Sequence, residues 1–365
     1  MLAERTKLID SSGIRKVFAL AQTMKEPVNL SIGQPDFDVP EHFKEKAIEA
    51  IKKGNNSYTQ TGGLQELRDS IKKYLSKSKK REFEDVFITS GTSGGILLSL
   101  MVLVNPGDEV LITDPYFVMY KHLINLFGGI PKFIDTYPDF KLKADEIEKQ
   151  ITDKTKIIIL NSPNNPTGVV YSIDELKMVS DIAKKYNLLI ITDEIYESFV
   201  YDETYNSIST FYEKTLLLSG FSKSLAMTGW RIGYAAGPKE IINSMITIQQ
   251  YSFVCAPSIV QYACLDAINF DTSKYTEEYR IKRDTIYNEL KKRGFEVEKP
   301  GGAFYIFPKV KFGTDEEFVQ CAIKNNLLII PGSVFSEKKT HFRISFAAPI
   351  ETLIKGAEIL GNLKV

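Results

Sequence analysis

The run SGFSKSLAMTGWRIGY, residues 219–234, holds a single lysine, Lys223, among Ser, Gly, Phe, Leu, Ala and Met. Lysines on solvated faces usually keep polar company. A desolvated amine sheds its proton more easily and becomes a nucleophile at neutral pH. Upstream, other loops carry groups that could do chemistry, and each follows an apolar run. SGTSGG (90–95) sets Gly91, Thr92 and Ser93 where a helix would open, so backbone N–H groups and hydroxyls could face an anion. DPYF (114–117) offers an aromatic, Tyr116. NSPNNPTG (161–168) offers the amides of Asn164 and Asn165. DEIY (193–196) brings Asp193, a second acid and Tyr196. A carboxylate at the end of a buried strand is costly without a cationic partner. Arg231, a planar fork suited to phosphate or carboxylate, closes the set.

Each loop alone has a plainer explanation. A glycine-rich turn is often only a turn, NSPNNPTG reads as a tight loop, and SGTSGG is neither G-x-G-x-x-G nor a P-loop. Together they meet the needs of a phosphorylated pyridinium aldehyde. Such a cofactor wants a lysine for a Schiff base and an acid at its ring nitrogen. It also wants donors to its phenolic oxygen, a stacking face and an anion pocket.

These groups need strands to present them. VFIT (86–89), EVLIT (109–113), KIIIL (156–160), LLIIT (188–192), TLLLS (215–219) and RIGYAA (231–236) read as strands. Most are too uniformly apolar to have one face in water, as parallel strands covered by helices are. Residues 94–104, 172–185 and 239–250 read as helices between them, the second opened by a Ser172/Glu175 capping box. This alternation predicts an α/β fold with a doubly wound, mostly parallel sheet, whose ligands sit at the strands' carboxyl ends. From about residue 274 a charged helix (274–293) leads into the strand candidates of a smaller α+β unit. The segment 1–40 shows no strand of its own and is expected to pack on that unit. The expected division is a large domain, 41–285, and a discontinuous small domain, 1–40 with 286–365.

The 365 residues, 43% hydrophobic and 25% charged, describe a soluble globular protein with ample core. Lys+Arg and Asp+Glu both number 46, so no general pull toward nucleic acid or anionic membrane is implied. The basic run KSKKR (77–81) reads as a solvated helix end. The longest apolar run, ILLSLMVLV (96–104), is far short of the roughly 18 residues a membrane span needs. Cys255, Cys264 and Cys321 are widely spaced, and with only His42, His122 and His341 a metal-centred mechanism is not expected. MLAERTKLID is charged from its fourth residue and lacks a signal-peptide core, which makes the cytoplasm the expected address.

From LSIGQPDF (30–37) to FRISFA (342–347), and above all in NNPTG, DEIY and SK…MTGWRIGY, the chain resembles the class I/II fold-type I pyridoxal-phosphate aminotransferases related to aspartate aminotransferase. The resemblance implies pyridoxal 5′-phosphate as cofactor and ping-pong transamination between an L-amino acid and a 2-oxo acid, 2-oxoglutarate among them. It makes Lys223 the Schiff-base lysine and Asp193 the partner of the ring nitrogen. Tyr196 and Asn165 would donate to the phenolic oxygen, and Tyr116 would stack on the ring. Gly91, Thr92, Ser93, Ser222 and Arg231 would hold the phosphate. Tyr58 would reach the phosphate in the other subunit of a homodimer with shared sites. Gly33, Asn165 and Arg343 would bind the substrate α-carboxylate.

Two departures stand out. Gly220 stands where many relatives have a serine, so the phosphate hydroxyl falls to Ser222. Ser93 stands where one aspartate-specialised subgroup has a lysine, which counts against a dedicated aspartate enzyme. Ile14, Phe18, Ile32 and the aromatics around Tyr251 and Phe253 would give the side-chain pocket an apolar lining, favouring aromatic or broad hydrophobic donors beside glutamate.

Rival readings explain less. A β-lyase on the same scaffold would share the cofactor motifs and release pyruvate and ammonia. A nicotinamide dehydrogenase using SGTSGG, with Asp114 on the ribose, has the wrong glycine spacing and leaves Lys223, NNPTG and DEIY without a task. A regulatory module would need an added DNA-binding domain, which the sequence does not show.

Overall fold

The computed structural model describes residues 2–9, 13–14, 17 and 22–364. Its centre is a seven-stranded sheet of β2 (Asp85–Thr89), β3 (Glu109–Asp114), β4 (Ile130–Asp135), β5 (Thr155–Asn161), β6 (Leu189–Asp193), β7 (Thr215–Gly220) and β8 (Gly233–Gly237), in the order β2-β8-β7-β6-β5-β3-β4. β3, β4, β5, β6 and β7 pair in parallel. β8 lies antiparallel between β2 and β7. The reason is local: the connection 221–232 is spent on the Lys223 loop and holds no helix, so there is no crossover to turn the chain around. β4 was not legible as a strand. It is the edge strand, partly exposed along its length, and Pro131 is tolerated there because an edge N–H has no ladder partner to lose.

The interior strands are apolar on both faces because both faces are covered. Ile157 and Ile159 pack with α1 (Gly91–Leu103), α2 (Met119–Leu126) and α4 (Lys239–Gln250) on one side. Ile158 and Leu160 pack with α3 (Ile173–Lys185) on the other. At the start of α3 the Ser172 Oγ accepts from the Glu175 N–H at 3.3 Å and the Ser172 N–H donates to Glu175 Oε2 at 2.9 Å. A cap of this kind contributes about 1 kcal/mol.

The C-terminal part builds a second core around an antiparallel sheet of β11 (Ile330–Pro331), β12 (Phe342–Ser345) and β9 (Tyr305–Ile306). The N-terminal segment does carry a strand, β1 (Val28–Asn29), only two residues long. It pairs in parallel with β10 (Leu327–Leu328), and Ser345 N–H donates to the Leu30 carbonyl at 2.8 Å. Two residues are too few to show a pattern in the sequence. The consequence matters for the site, because this pairing carries Ser31, Ile32 and Gly33 to the mouth of the large sheet. Among the described residues no helix is long and apolar enough to cross a membrane.

Candidate active site

The parallel strands end at one edge, and a cavity of about 550 Å³ opens there. β5 and β6 are in register with Asn161 beside Asp193, and β6 pairs Asp193 with Leu218 of β7. Strand alternation then parts the two acids at the end of β6, Asp193 and Glu194. Asp193 faces the cavity. Glu194 points to the opposite side, where with Glu197 it holds the buried Lys79 amine at 3.1 and 2.5 Å. Against the burial that would lower it, the two carboxylates hold that amine above its usual range.

Lys223 lines the cavity with its Nζ donating to the Gly33 carbonyl at 2.7 Å and lying 5.9 Å from the ring centres of Tyr196 and Phe304. Burial, then the positive charges of Arg343 and Arg231, lower its pKa to about 8, while Asp193 pulls the other way. The side chain is half-buried, and the shift has the direction its apolar company suggests. Asp193 is buried, and its carboxyl is pushed up to about 6 by burial, with hydrogen bonds opposing. The chief opposing bond comes from Tyr120 on α2, whose hydroxyl donates to Asp193 Oδ2 at 2.7 Å. Sequence reading missed Tyr120, since a tyrosine in the first turn of a helix looks like core.

Arg343, 1% exposed on β12, has Nη1 on Asn165 Oδ1 at 3.0 Å and Nη2 on the Ser31 carbonyl at 2.9 Å. Its guanidinium lies 4.5 Å from the Tyr305 ring centre and 4.6 Å from that of Phe335. Among the described residues no carboxylate pairs with it, and its Nε is buried without a partner. Burial correspondingly lowers its pKa. A buried cation with a free donor is costly unless an anion joins it.

At the other end of the cavity, Thr92 and Ser93 open α1 beside Ser222, Thr228 and Arg231. Gly91 (φ +71°) brings its backbone against the Arg231 guanidinium, and Thr92 Oγ1 is buried without a partner. Arg231 itself takes φ +56°, a left-handed conformation that long side chains seldom adopt. Gly220 is explained by the same crowding. A Cβ there would lie 2.8 Å from the Gly233 Cα and 2.9 Å from the Ile232 carbonyl, so a serine has no room.

One assignment needs correcting. Tyr116 does not face this cavity. Its hydroxyl donates to Glu337 Oε1 at 2.7 Å and its ring lines a neighbouring cleft with Lys121. The next residue, Phe117, lines the cavity instead. In DPYF successive side chains leave the strand end in different directions, and the sequence does not say which ring turns inward. Tyr58 is 81% exposed and away from the cavity, as are Tyr251 and Phe253 on the surface. Ile14 and Ile32 line the cavity, while Phe18 lies outside the described residues. Asn161, Thr228 and Tyr305 also line it and were not singled out from sequence. Asn161 was the first residue of a quoted loop, and its amide holds the loop by accepting from the Asn165 N–H at 2.8 Å.

The unpartnered Thr92 hydroxyl and Arg343 Nε mark an anion site at each end, with a lysine and an acid between them. That donor set fits pyridoxal 5′-phosphate and an amino-acid carboxylate. Residues 25–359 match the family model described as aminotransferase class I and II. A probable aspartate aminotransferase of Methanocaldococcus jannaschii is 41% identical, with the whole of both chains covered. The aromatic-amino-acid aminotransferase 2 of Thermococcus litoralis is 38% identical over 96% of this chain and 95% of that one. The solved aspartate aminotransferase from Thermus thermophilus with maleate superposes with a TM-score of 0.96 at 31% identity, all of both chains being covered.

Proposed function

The chain belongs to the class I and II aminotransferases, a pyridoxal-phosphate-dependent family, and from that premise we propose that this cavity is where it moves an amino group between an L-amino acid and a 2-oxo acid. The observation that carries the assignment is the Lys223 amine, brought to a pKa of about 8 between two arginines and facing a buried acid. When bound, pyridoxal 5′-phosphate supplies an electron sink, because its cationic ring withdraws the electrons left behind at the substrate Cα.

The chain's own groups do the rest. Lys223 would hold the cofactor through its amine, and that amine in its neutral form would serve as general base toward the substrate Cα proton. Asp193 holds a proton on the ring nitrogen, and the Tyr120 hydroxyl keeps that carboxylate turned toward the cavity. Tyr196 and Asn165 donate to the phenolic oxygen, and Phe117 takes the stacking task expected of Tyr116. Gly91, Thr92, Ser93, Ser222 and Arg231 hold the phosphate at the start of α1. Arg343, already oriented by Asn165 and the Ser31 carbonyl, offers its Nε edge to the α-carboxylate beside Gly33. A 2-oxo acid, with 2-oxoglutarate as the expected acceptor, would be seated by the same groups and receive the amino group in the second half of a ping-pong cycle.

We place the cofactor-holding unit at 41–285, and the closing unit at 1–40 with 286–365. The exposed Tyr58 suits a homodimer in which each subunit reaches the other's phosphate, working in the cytoplasm. The test is an absorption titration of the pyridoxal-phosphate-loaded protein with a panel of amino acids. Conversion of a visible band, lost in Lys223→Ala, supports transamination and names the donor. A band that never converts, while pyruvate appears from a cysteine-type substrate, would replace it with elimination.

A further inference from the structure

Tyr196 and Tyr305 share one hydrogen bond, Oη to Oη at 2.9 Å, between two side chains that are both almost wholly buried. They come from opposite parts of the fold. Tyr196 follows β6 of the large sheet, whereas Tyr305 stands in β9, in register with Ser345 of β12. Burial raises the pKa of both phenols, so each keeps its proton. Two protons and one mutual bond leave one proton to point elsewhere. Tyr305 Oη is pressed against the Gly33 backbone, so closely that a Cβ on Gly33 would lie 2.7 Å from it. Among the described residues it has no polar partner besides Tyr196. Either oxygen can donate in this bond; with Tyr305 as the donor, the proton of Tyr196 is the one left for the cavity that both line.

Tyr305 touches the substrate end as well. Its ring lies under the Arg343 guanidinium at 4.5 Å, and the residue it presses on, Gly33, accepts from the Lys223 amine at 2.7 Å. We propose that Tyr305 is a positioning residue whose hydroxyl aims the Tyr196 proton into the cavity and whose ring seats Arg343. One side chain of the C-terminal part thus sets both a proton donor and the carboxylate clamp. The inference rests on the reading of Tyr196 as donor to the cofactor's phenolic oxygen and of Arg343 as that clamp.

The consequence has a sign. A hydrogen bond received by the Tyr196 oxygen polarises its own O–H and makes it a stronger donor. A stronger donor favours negative charge on the phenolic oxygen and lowers the proton affinity of the bound cofactor. Tyr305→Phe removes the hydroxyl and keeps the ring. The pH midpoint of the visible band of the pyridoxal-phosphate-loaded protein should rise by about half a pH unit, a relayed fraction of one hydrogen bond. The KM for L-glutamate should stay within about twofold, since the ring still faces Arg343. Tyr305→Leu removes the ring too, and KM should then rise about three- to thirtyfold, the range a cation–π contact covers. In a Tyr196→Phe background the Tyr305→Phe shift should vanish, because the relay has no second member.

An unmoved midpoint in folded Tyr305→Phe, with only its melting temperature lowered, overturns the proposal and leaves transamination standing. So does an equal shift in the Tyr196→Phe background. No visible band even in the wild type would instead overturn the functional reading beneath it.

Discussion

The Lys223 amine gives a prediction whose size follows from its surroundings. With a pKa of about 8, about one amine in ten is neutral at pH 7. At the ordinary lysine value the fraction would be about three in ten thousand, some three-hundredfold less. Only the neutral amine attacks an aldehyde, so cofactor capture should follow that fraction. The assay mixes cofactor-free protein with pyridoxal phosphate and follows the initial rate of the visible band against pH. Because the pKa is depressed, the neutral form is gained as pH rises, and the rate should climb and level off above about pH 8. Arg343 is the largest charge depressing it after burial, ahead of Arg231. Arg343→Gln removes one cation and should move the midpoint upward, toward the ordinary value. A wild-type midpoint at pH 10 or above, or a downward move in Arg343→Gln, would refute the argument that burial and two arginines activate this amine.

Arg343→Lys keeps the charge but loses the fork, costing one charge-assisted bond of about 1.5–3 kcal/mol. The KM for the amino acid should rise about ten- to a hundredfold with kcat little changed, and a KM within twofold of wild type would remove Arg343 as the clamp. Phe117→Ala should weaken cofactor binding about three- to tenfold through lost stacking, measured by equilibrium titration. Tyr116→Phe should leave that affinity unchanged while lowering the melting temperature a few degrees through the lost bond to Glu337, and the reverse pattern would restore Tyr116 to the ring. Gly220→Ser forces a Cβ against the Gly233 backbone and should destabilise the protein by about 1–3 kcal/mol in a denaturant melt; an unchanged midpoint would show the strand pair can open there.

The sequence by itself carried the chemistry at the strand ends. Lys223, Asp193, Thr92 and Asn165 stand in the loops after apolar runs and Arg231 just before one, and strands buried on both faces can only present ligands from their ends. Runs such as KIIIL and TLLLS were legible because both faces lie in core. Long amphipathic helices were legible because their period repeats several times, and α4 spans the expected residues 239–250. Short or one-off features were not. β4 hides behind Pro131 and partial exposure, and β1 is two residues long, yet it delivers Ser31 and Gly33 to the cavity.

What the tertiary structure alone decided is direction and company. Whether Tyr116 or Phe117 turns inward depends on which neighbour can take each side chain, and Glu337, over two hundred residues away, takes the Tyr116 hydroxyl. Tyr120 reaches Asp193 across 73 positions, and Tyr305 reaches Tyr196 across 109. The Arg343 charge goes unpaired only because folding seats it on an amide, a carbonyl and two rings, with no carboxylate among the described residues to meet it. Residue types and their order along the chain fix which groups can react. Their protonation and aim come from burial and from partners distant in sequence, and those exist only once the chain has folded.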